Sequence, residues 1–586
     1  MTIRLRNLAL LLVLLTSGCY VGEKQDTQNA PLFIAQIQGC AHVSPFDGQN
    51  VSDVRGVVTA KNHNGFYMQS TTPDELDCSS EGIFVFTDVF PDVVPGDEVS
   101  VSGRVEEFMP GQVKDQNLTL TEIVEPEVKI LSTHNLLPAY VVIGSSDRKV
   151  PDKIIDNDGF RIFDPDEDGI DFFESLESML VSIEGGAVVG PRNTYNEVVI
   201  IPQEYRSLNH ISESGALLQT ENDANPERLI LNLNKENKQQ VNIGAALQGR
   251  AVGVLEYAYG NYKVKTFGLV AFSENNPVIP RVNTQQNSLT LATYNVKNLS
   301  LQGEARRFRG IASHIIHHLS APDIVVLHEV LDNSGEVDDG VVSATDTIKR
   351  LIDEIARQGG PTYSFLAVDP ENNADGGIPG GNIRSVILYQ TGSGLTPVEE
   401  PEYEEITQNP MVIGDSQWPF NATRKPLIAL FDYKERRLML VAVHLTSRSL
   451  DSALFGRAQP IERLEEEKRI EQARYIEQFL YDFHRNHPEI QLLLAGDVND
   501  NTWSKTMTVL TSRILFDAGN TIADNERFSF IYDGNAIQLD HILVSDPKFI
   551  TQYTIPHLNS LLDYSLQMSD HDPVLVELDF GERTSQ

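Results

Sequence analysis

At 586 residues the chain is too long for one ordinary hydrophobic core and calls for roughly two to four domains. Its 41% hydrophobic and 22% charged content is that of a soluble globular protein, while a formal net charge of −37 is unusual. So acidic a chain repels phosphate backbones at long range, which excludes passive coating of DNA. Enzymatic action on nucleic acid is still open if divalent metal and a local basic patch reverse the sign at the site.

The first residues read as an export signal. Arg4 and Arg6 form a positive start, and Leu8–Leu15 is an apolar run too short to span a bilayer permanently. Leu15-Thr16-Ser17-Gly18-Cys19 resembles a bacterial lipoprotein processing site, which implies removal of residues 1–18 and lipidation of Cys19; simple secretion is the alternative. Polar residues 19–30 suit a tether. In the oxidising compartment that export implies, Cys40 and Cys78 remain as an even pair, for which a disulfide is the default.

Between 31 and 135 the pattern is of short strands: Ile34–Gln38, Gly56–Thr59, Gly65–Gln69, Gly82–Phe86 and Glu98–Val105, parted by turns such as Asn64-Gly65 and Pro95-Gly96-Asp97. This suggests a small barrel of the oligonucleotide/oligosaccharide-binding type, with Phe66 and Tyr67 either stacking on single strands or filling the core. Residues 136–278 form a second β-rich region. Its Gly249–Leu255 stretch echoes Val54–Thr59, so a diverged second barrel is one expectation. Within it, Asp164, Asp166 and Asp168, ahead of Gly169 and Asp171, look like a calcium loop, although Ser175 stands where an EF-hand needs a bidentate Glu. A connector, Asn275–Ser288, follows.

From 286 to 582 strands and helices alternate. Leu289–Tyr294, Ile324–Leu327, Ser385–Tyr389, Leu427–Asp432, Leu438–His444 and Gln491–Ala495 read as buried strands, and Phe308–Leu319 and Glu462–Phe483 as helices. Short apolar strands buried on both faces imply two packed sheets covered by helices. Polar residues gather at strand ends: His444, then Asp497, Asn499 and Asp500, then Asp540-His541, then Ser569-Asp570-His571-Asp572. Repeated placement of His and Asp at strand ends predicts one convergent site.

These blocks, with Thr293-Tyr294-Asn295, Leu327-His328-Glu329, Asp375–Arg384, Thr423-Arg424-Lys425-Pro426 and Leu454–Pro460, resemble the endonuclease/exonuclease/phosphatase superfamily, and more closely its bacterial extracellular nucleases, whose barrel domain is similar to the stretch before 135. The resemblance implies a multidomain chain in which β-rich, barrel-containing regions precede a four-layered α/β sandwich of the deoxyribonuclease-I type. It implies metal ligation by Asn295, Glu329 and Asp570, and chemistry by His444, Asp497, Asn499, Asp540 and His571, with His571 or Asp497 as base. Substrate phosphate would meet Arg424, Arg384 and Asn382. His328 and Val498 stand where the family usually has Gln and Phe. Trp418 and Phe420 are candidate base-stacking rings or core. The activity expected is Mg²⁺- or Mn²⁺-dependent hydrolysis of phosphodiesters in DNA, with RNA as a further substrate and no protein partner. The alternatives are a sphingomyelinase-like phosphodiesterase and an inactive surface protein that binds nucleic acid.

Overall fold

The computed structural model describes residues 32–112, 116–145, 148–207 and 210–581. The expected signal segment, Cys19 and the whole tether lie outside them. Strands β1 (Asn50–Asn62), β2 (Gly65–Gln69), β3 (Gly82–Phe86), β4 (Glu98–Phe108) and β5 (Leu120–Ser132) close into a barrel in the order β1-β2-β3-β5-β4. Val54, Val58, Phe66, Met68, Val85, Val99 and Val101 fill it. The expected strand at Ile34–Gln38 is instead a short helix, because Ile34 and Ile37, three apart, pack together into that core. Cys40 and Cys78 are disulfide-bonded, with Cα atoms 5.1 Å apart. Neither ring expected to stack on single strands is available. Phe66 is inside the barrel, and Tyr67 packs on Phe84 and donates from its hydroxyl to Glu256 at 2.8 Å.

The second region is an open sheet rather than a second barrel. Its strands are β6 (Val141–Ile143), β7 (Leu180–Glu184), β8 (Ala187–Gly190), β9 (Glu197–Ile201), β10 (Leu229–Asn232), β11 (Arg250–Ala258) and β12 (Asn261–Thr266), ordered β6-β7-β11-β12-β10-β9-β8. Its edge strands β6 and β8, of three and four residues, are not paired with each other, so the sheet stays open. The echo of the first barrel therefore reflects strand composition, not topology.

The third region stacks two sheets. The first runs β15 (Tyr363–Leu366), β16 (Arg384–Gln390), β14 (Ile324–Val330), β13 (Leu289–Leu299), β24 (Val574–Leu578), β23 (Ile550–Thr554). The second runs β17 (Leu395–Pro397), β18 (Leu427–Tyr433), β19 (Arg436–His444), β20 (Gln491–Asp497), β22 (Asp540–Val544), β21 (Phe516–Asp517), with Met411–Val412 added beside β18. The period of two divides each strand between layers. Val326 faces Leu440, Leu493 and Ile542 between the sheets, whereas its neighbours Val325 and Leu327 face Phe308, Ile311 and Ile348 of the outer helices Ala305–Ser313 and Thr345–Arg357. Helix Glu466–Asn486 covers the second sheet through Ala473, Ile476, Leu480 and Phe483. The result is four layers: helices, sheet, sheet, helices.

The regions share structure. Leu217–Leu218 pairs with Asn535–Ile537, which pairs with Phe530–Tyr532, making a small sheet across the seam. Arg192 grips Asp563 with Nε at 2.8 Å and Nη2 at 3.2 Å, both side chains buried.

Candidate active site

Strand direction brings the polar residues together. β13 runs parallel to β14, and β19 to β20, so their carboxyl ends lie on one side. There Asn295 is level with His328, and His444 with Asp497. β22 and β24 are antiparallel to their neighbours and begin where those strands end. Asp540 thus falls opposite Asp497, and His571 sits just ahead of β24. Stacking the sheets then joins the two sets of ends.

The contacts form a continuous line through buried space. Asn295 Nδ2 donates to Glu329 Oε1 and to Asp497 Oδ2, both at 3.0 Å. Glu329 has φ +60°, and its Oε2 accepts the Asn298 N–H at 3.0 Å. Asp497 Oδ1 accepts the Asn499 N–H at 2.8 Å, while its Oδ2 lies 3.6 Å from His444 Nε2 and 4.0 Å from His571 Nε2. His571 Nδ1 donates to Asp540 Oδ2 at 2.7 Å, and Ser529 Oγ donates to the same oxygen at 2.7 Å.

Charge follows from these neighbours. Burial by itself would strip the His571 proton, but the carboxylates of Asp540, Asp497 and Asp570 outweigh it and hold the imidazolium well above the ordinary histidine range. His444, although 3.6 Å from Asp497, has no hydrogen-bonded carboxylate like the Asp540 of His571. Burial first, then the positive field of Arg424, keeps it neutral. Burial pushes Asp497 up to about 7, against the opposing pull of His571. His328, between Thr293 Oγ1 at 3.0 Å and Ser385 Oγ at 2.9 Å, is lowered by burial to about 3 and is a neutral core residue.

Arg424 lies in the same field, since Glu329 and Asp497 act on it against its burial. Its Nη2 donates to Leu445 O at 2.6 Å, and its Nε has no protein partner among the described residues. Asp570 carries Lys297 Nζ at 2.9 Å. The other two expected phosphate contacts are spent elsewhere. Arg384 pairs with Asp369 and donates to Asn382 O, and the Asn382 amide bonds Asp332 Oδ2, Val341 O and Asn372 Oδ1 at 2.8 to 3.0 Å. Both pin the Gly-rich loop they follow. Phe420 is core, whereas Trp418 is exposed. Sequence reasoning passed over Lys297, Ser529 and Arg469. Arg469 is fully buried and ties Asp500 at 3.3 Å to Ser447 O at 3.0 Å, bracing the loops that follow β20 and β19.

The donor set suits a hard divalent cation. Asp497, Asp540 and His571 each offer an atom within 4.8 Å of the others. A protonated His571 would repel a cation, which favours the Glu329 side, where each carboxylate oxygen accepts one N–H and keeps a lone pair. At the expected calcium loop the atoms that converge belong to Asp164, Asp168 and Asp171, and Asp166 is not among them. His42 Nε2 lies 2.6 Å from Asp171 and is raised to about 9: burial pulls it down, and Asp171 and Glu174 more than restore it. An imidazolium already offsets the charge of Asp171, one of the three carboxylates of that cluster.

Residues 292–571 match the Endonuclease/Exonuclease/phosphatase family, whose members are phosphoester hydrolases, usually metal-dependent. Residues 142–272 match a Domain of unknown function (DUF8508). Among solved structures, the chain is similar to an endonuclease/exonuclease/phosphatase family protein from Bacteroides thetaiotaomicron (18% identity, 51% of this chain and 99% of that one, TM-score 0.34). It is also similar to the mannosyl-6-phosphatase of the same organism (20%, 50% and 100%, 0.34) and to the human Nocturnin catalytic domain (17%, 51% and 97%, 0.35). No curated protein matches the chain.

Proposed function

We propose that this chain, whose residues 292–571 match the Endonuclease/Exonuclease/phosphatase family, is an exported, divalent-metal-dependent phosphodiesterase that hydrolyses DNA, with RNA as a second substrate. The observation that carries the reading is the line Asp540–His571, Asp497–Asn295–Glu329, buried up to a half-buried Glu329, which sets an imidazolium, a carboxyl of pKa about 7 and a second carboxylate around one space. A phosphodiester is an anion that repels its own nucleophile. Magnesium or manganese held by Glu329, with Asn295 and Asp570 beside it, would supply the charge that neutralises the phosphate and polarises water.

The chain's own groups do the rest. His571 presents Nε2–H to a phosphoryl oxygen, and Asp540 fixes the ring so that this proton points inward. Asp497 Oδ2 accepts the proton of the attacking water, at a pKa suited to gaining and losing it near neutrality. Asn499 and Asn295 hold that carboxylate in place from either side. Neutral His444 and the free Nε of Arg424 offer further donors to the charge that builds up on the phosphoryl oxygens.

The N-terminal barrel is read as one of the oligonucleotide/oligosaccharide-binding type from its five-stranded closure. Export, as a lipoprotein or a secreted protein, is supported by the Cys40–Cys78 disulfide. The test is a substrate panel of supercoiled plasmid, linear DNA, RNA, sphingomyelin and an inositol phosphate, with Mg²⁺ or Mn²⁺. The expected result is nicking of the plasmid, abolished by EDTA. Cleavage of sphingomyelin or the inositol phosphate with intact nucleic acids would replace this reading.

A further inference from the structure

One ring at the site has no part in the chemistry above. Phe530 lies 4.8 Å from the His571 ring, tilted 40° to it, and is paired with His571 through a backbone bridge. Two residues on, and so on the same face of its strand, Tyr532 stands almost parallel to Phe530, with an interplanar angle of 8° and centroids 6.4 Å apart. Tyr532 is 64% exposed. An exposed Tyr alone is ordinary surface. Two co-oriented rings that begin against the catalytic imidazole and lead outward are a directed feature.

The second region holds this ledge in place. Asn535–Ile537, the hairpin partner of Phe530–Tyr532, is paired on its other side with Leu217–Leu218. Arg228 donates to Asp533 O, and Asn261 Nδ2 donates to Asp533 Oδ2 at 3.1 Å. Gly534, at φ +82°, presses on β9 so closely that a Cβ would come 2.7 Å from Val199 Cγ1. Tyr195, two residues before β9 and 77% exposed, stands near enough to affect the ionisation of Tyr532.

We propose that Phe530 and Tyr532 form a stacking ledge for the nucleobase next to the scissile phosphate, and that the second region serves to hold it. This rests on the phosphodiesterase reading and gives it a substrate feature. Aromatic faces stack on any base, so the ledge favours unpaired or frayed strands without choosing sequence. It also explains how an acidic protein binds nucleic acid next to its site, through stacking where long-range charge is unfavourable.

The test compares two oligodeoxynucleotides of equal length, one with natural bases and one with abasic residues flanking the cleaved phosphate, using the full-length protein with Mg²⁺. The quantity read is the ratio of kcat/KM on the first to that on the second. Tyr532→Ala should reduce this ratio on the order of tenfold, chiefly through KM, and Tyr532→Phe should preserve it. An unaltered ratio in Tyr532→Ala would overturn the ledge while leaving the phosphodiesterase reading intact. A second measurement does not need turnover: quenching of a 2-aminopurine base in the oligonucleotide, in EDTA. Quenching by the parent protein that Tyr532→Ala loses supports the ledge; equal quenching by both, or none by either, overturns it.

Discussion

His571 keeps its proton because Asp540 lies 2.7 Å from Nδ1, with Asp497 and Asp570 adding to the field. A raised histidine pKa stabilises the fold fully below the unfolded value of about 6.5. That stabilisation fades as pH rises from there through the folded value. In EDTA, the difference in Tm between the parent and Asp540→Asn should therefore be largest near pH 6 and shrink towards alkaline pH; a difference that grows with pH contradicts the assignment. His571 and Asp540 were legible in the sequence because a titratable pair at a strand start has few structural uses. Arg384 and Asn382 misled for the opposite reason. Their donors suit phosphate, but Asp369, Asp332 and the Val341 carbonyl, 15 to 50 residues away, had already taken them. Lys297 and Ser529 were passed over because nothing in their neighbours marks them, and only the meeting of distant loops brings them to Asp570 and Asp540.

At the scale of elements, the site depends on how closely β20 lies beside β19 and beneath the other sheet. A Cβ at Gly496 would fall 1.8 Å from Val443 O and 2.9 Å from His328 Cε1. Gly496→Ala must therefore push Asp497 and His444 apart or separate the sheets. The expected loss is at least about 3 kcal/mol of stability, read by urea unfolding. A variant of parental stability would show that this contact yields easily. The strand was visible in the sequence as an apolar run ending at Gly, and the sandwich as alternating strands and helices. The open sheet of the second region was not, because strand composition does not say which strands pair with which. The short helix at Ile34–Gln38 was missed because five residues carry too little period to separate helix from strand.

For the whole molecule, the barrel joins the second region through His42, set between Asp171 at 2.6 Å and Glu174 at 3.7 Å. Its pKa of about 9 means the latch is fully effective below about 6.5 and released as pH climbs through 9. The stabilisation at stake is at most about 3 kcal/mol. The parent should lose Tm between pH 7 and 10, and His42→Ala should be flatter over that range. Parallel curves would remove His42 from the latch. The order of blocks in the third region was legible in the sequence, and the family match runs over 292–571, whereas the seam was not, since Arg192–Asp563 and the shared Leu217–Asn535 sheet join residues more than 300 apart.

The proposed chemistry needs one cation held at Glu329, with His571 and Asp497 acting on a phosphodiester. It is tested most directly by the initial rate of plasmid nicking against Mg²⁺ concentration for the parent and Glu329→Gln, a substitution that keeps shape and removes charge. The parent should saturate, and Glu329→Gln should need far more Mg²⁺ and reach a rate on the order of 100-fold lower. Superimposable curves for the two proteins would contradict it.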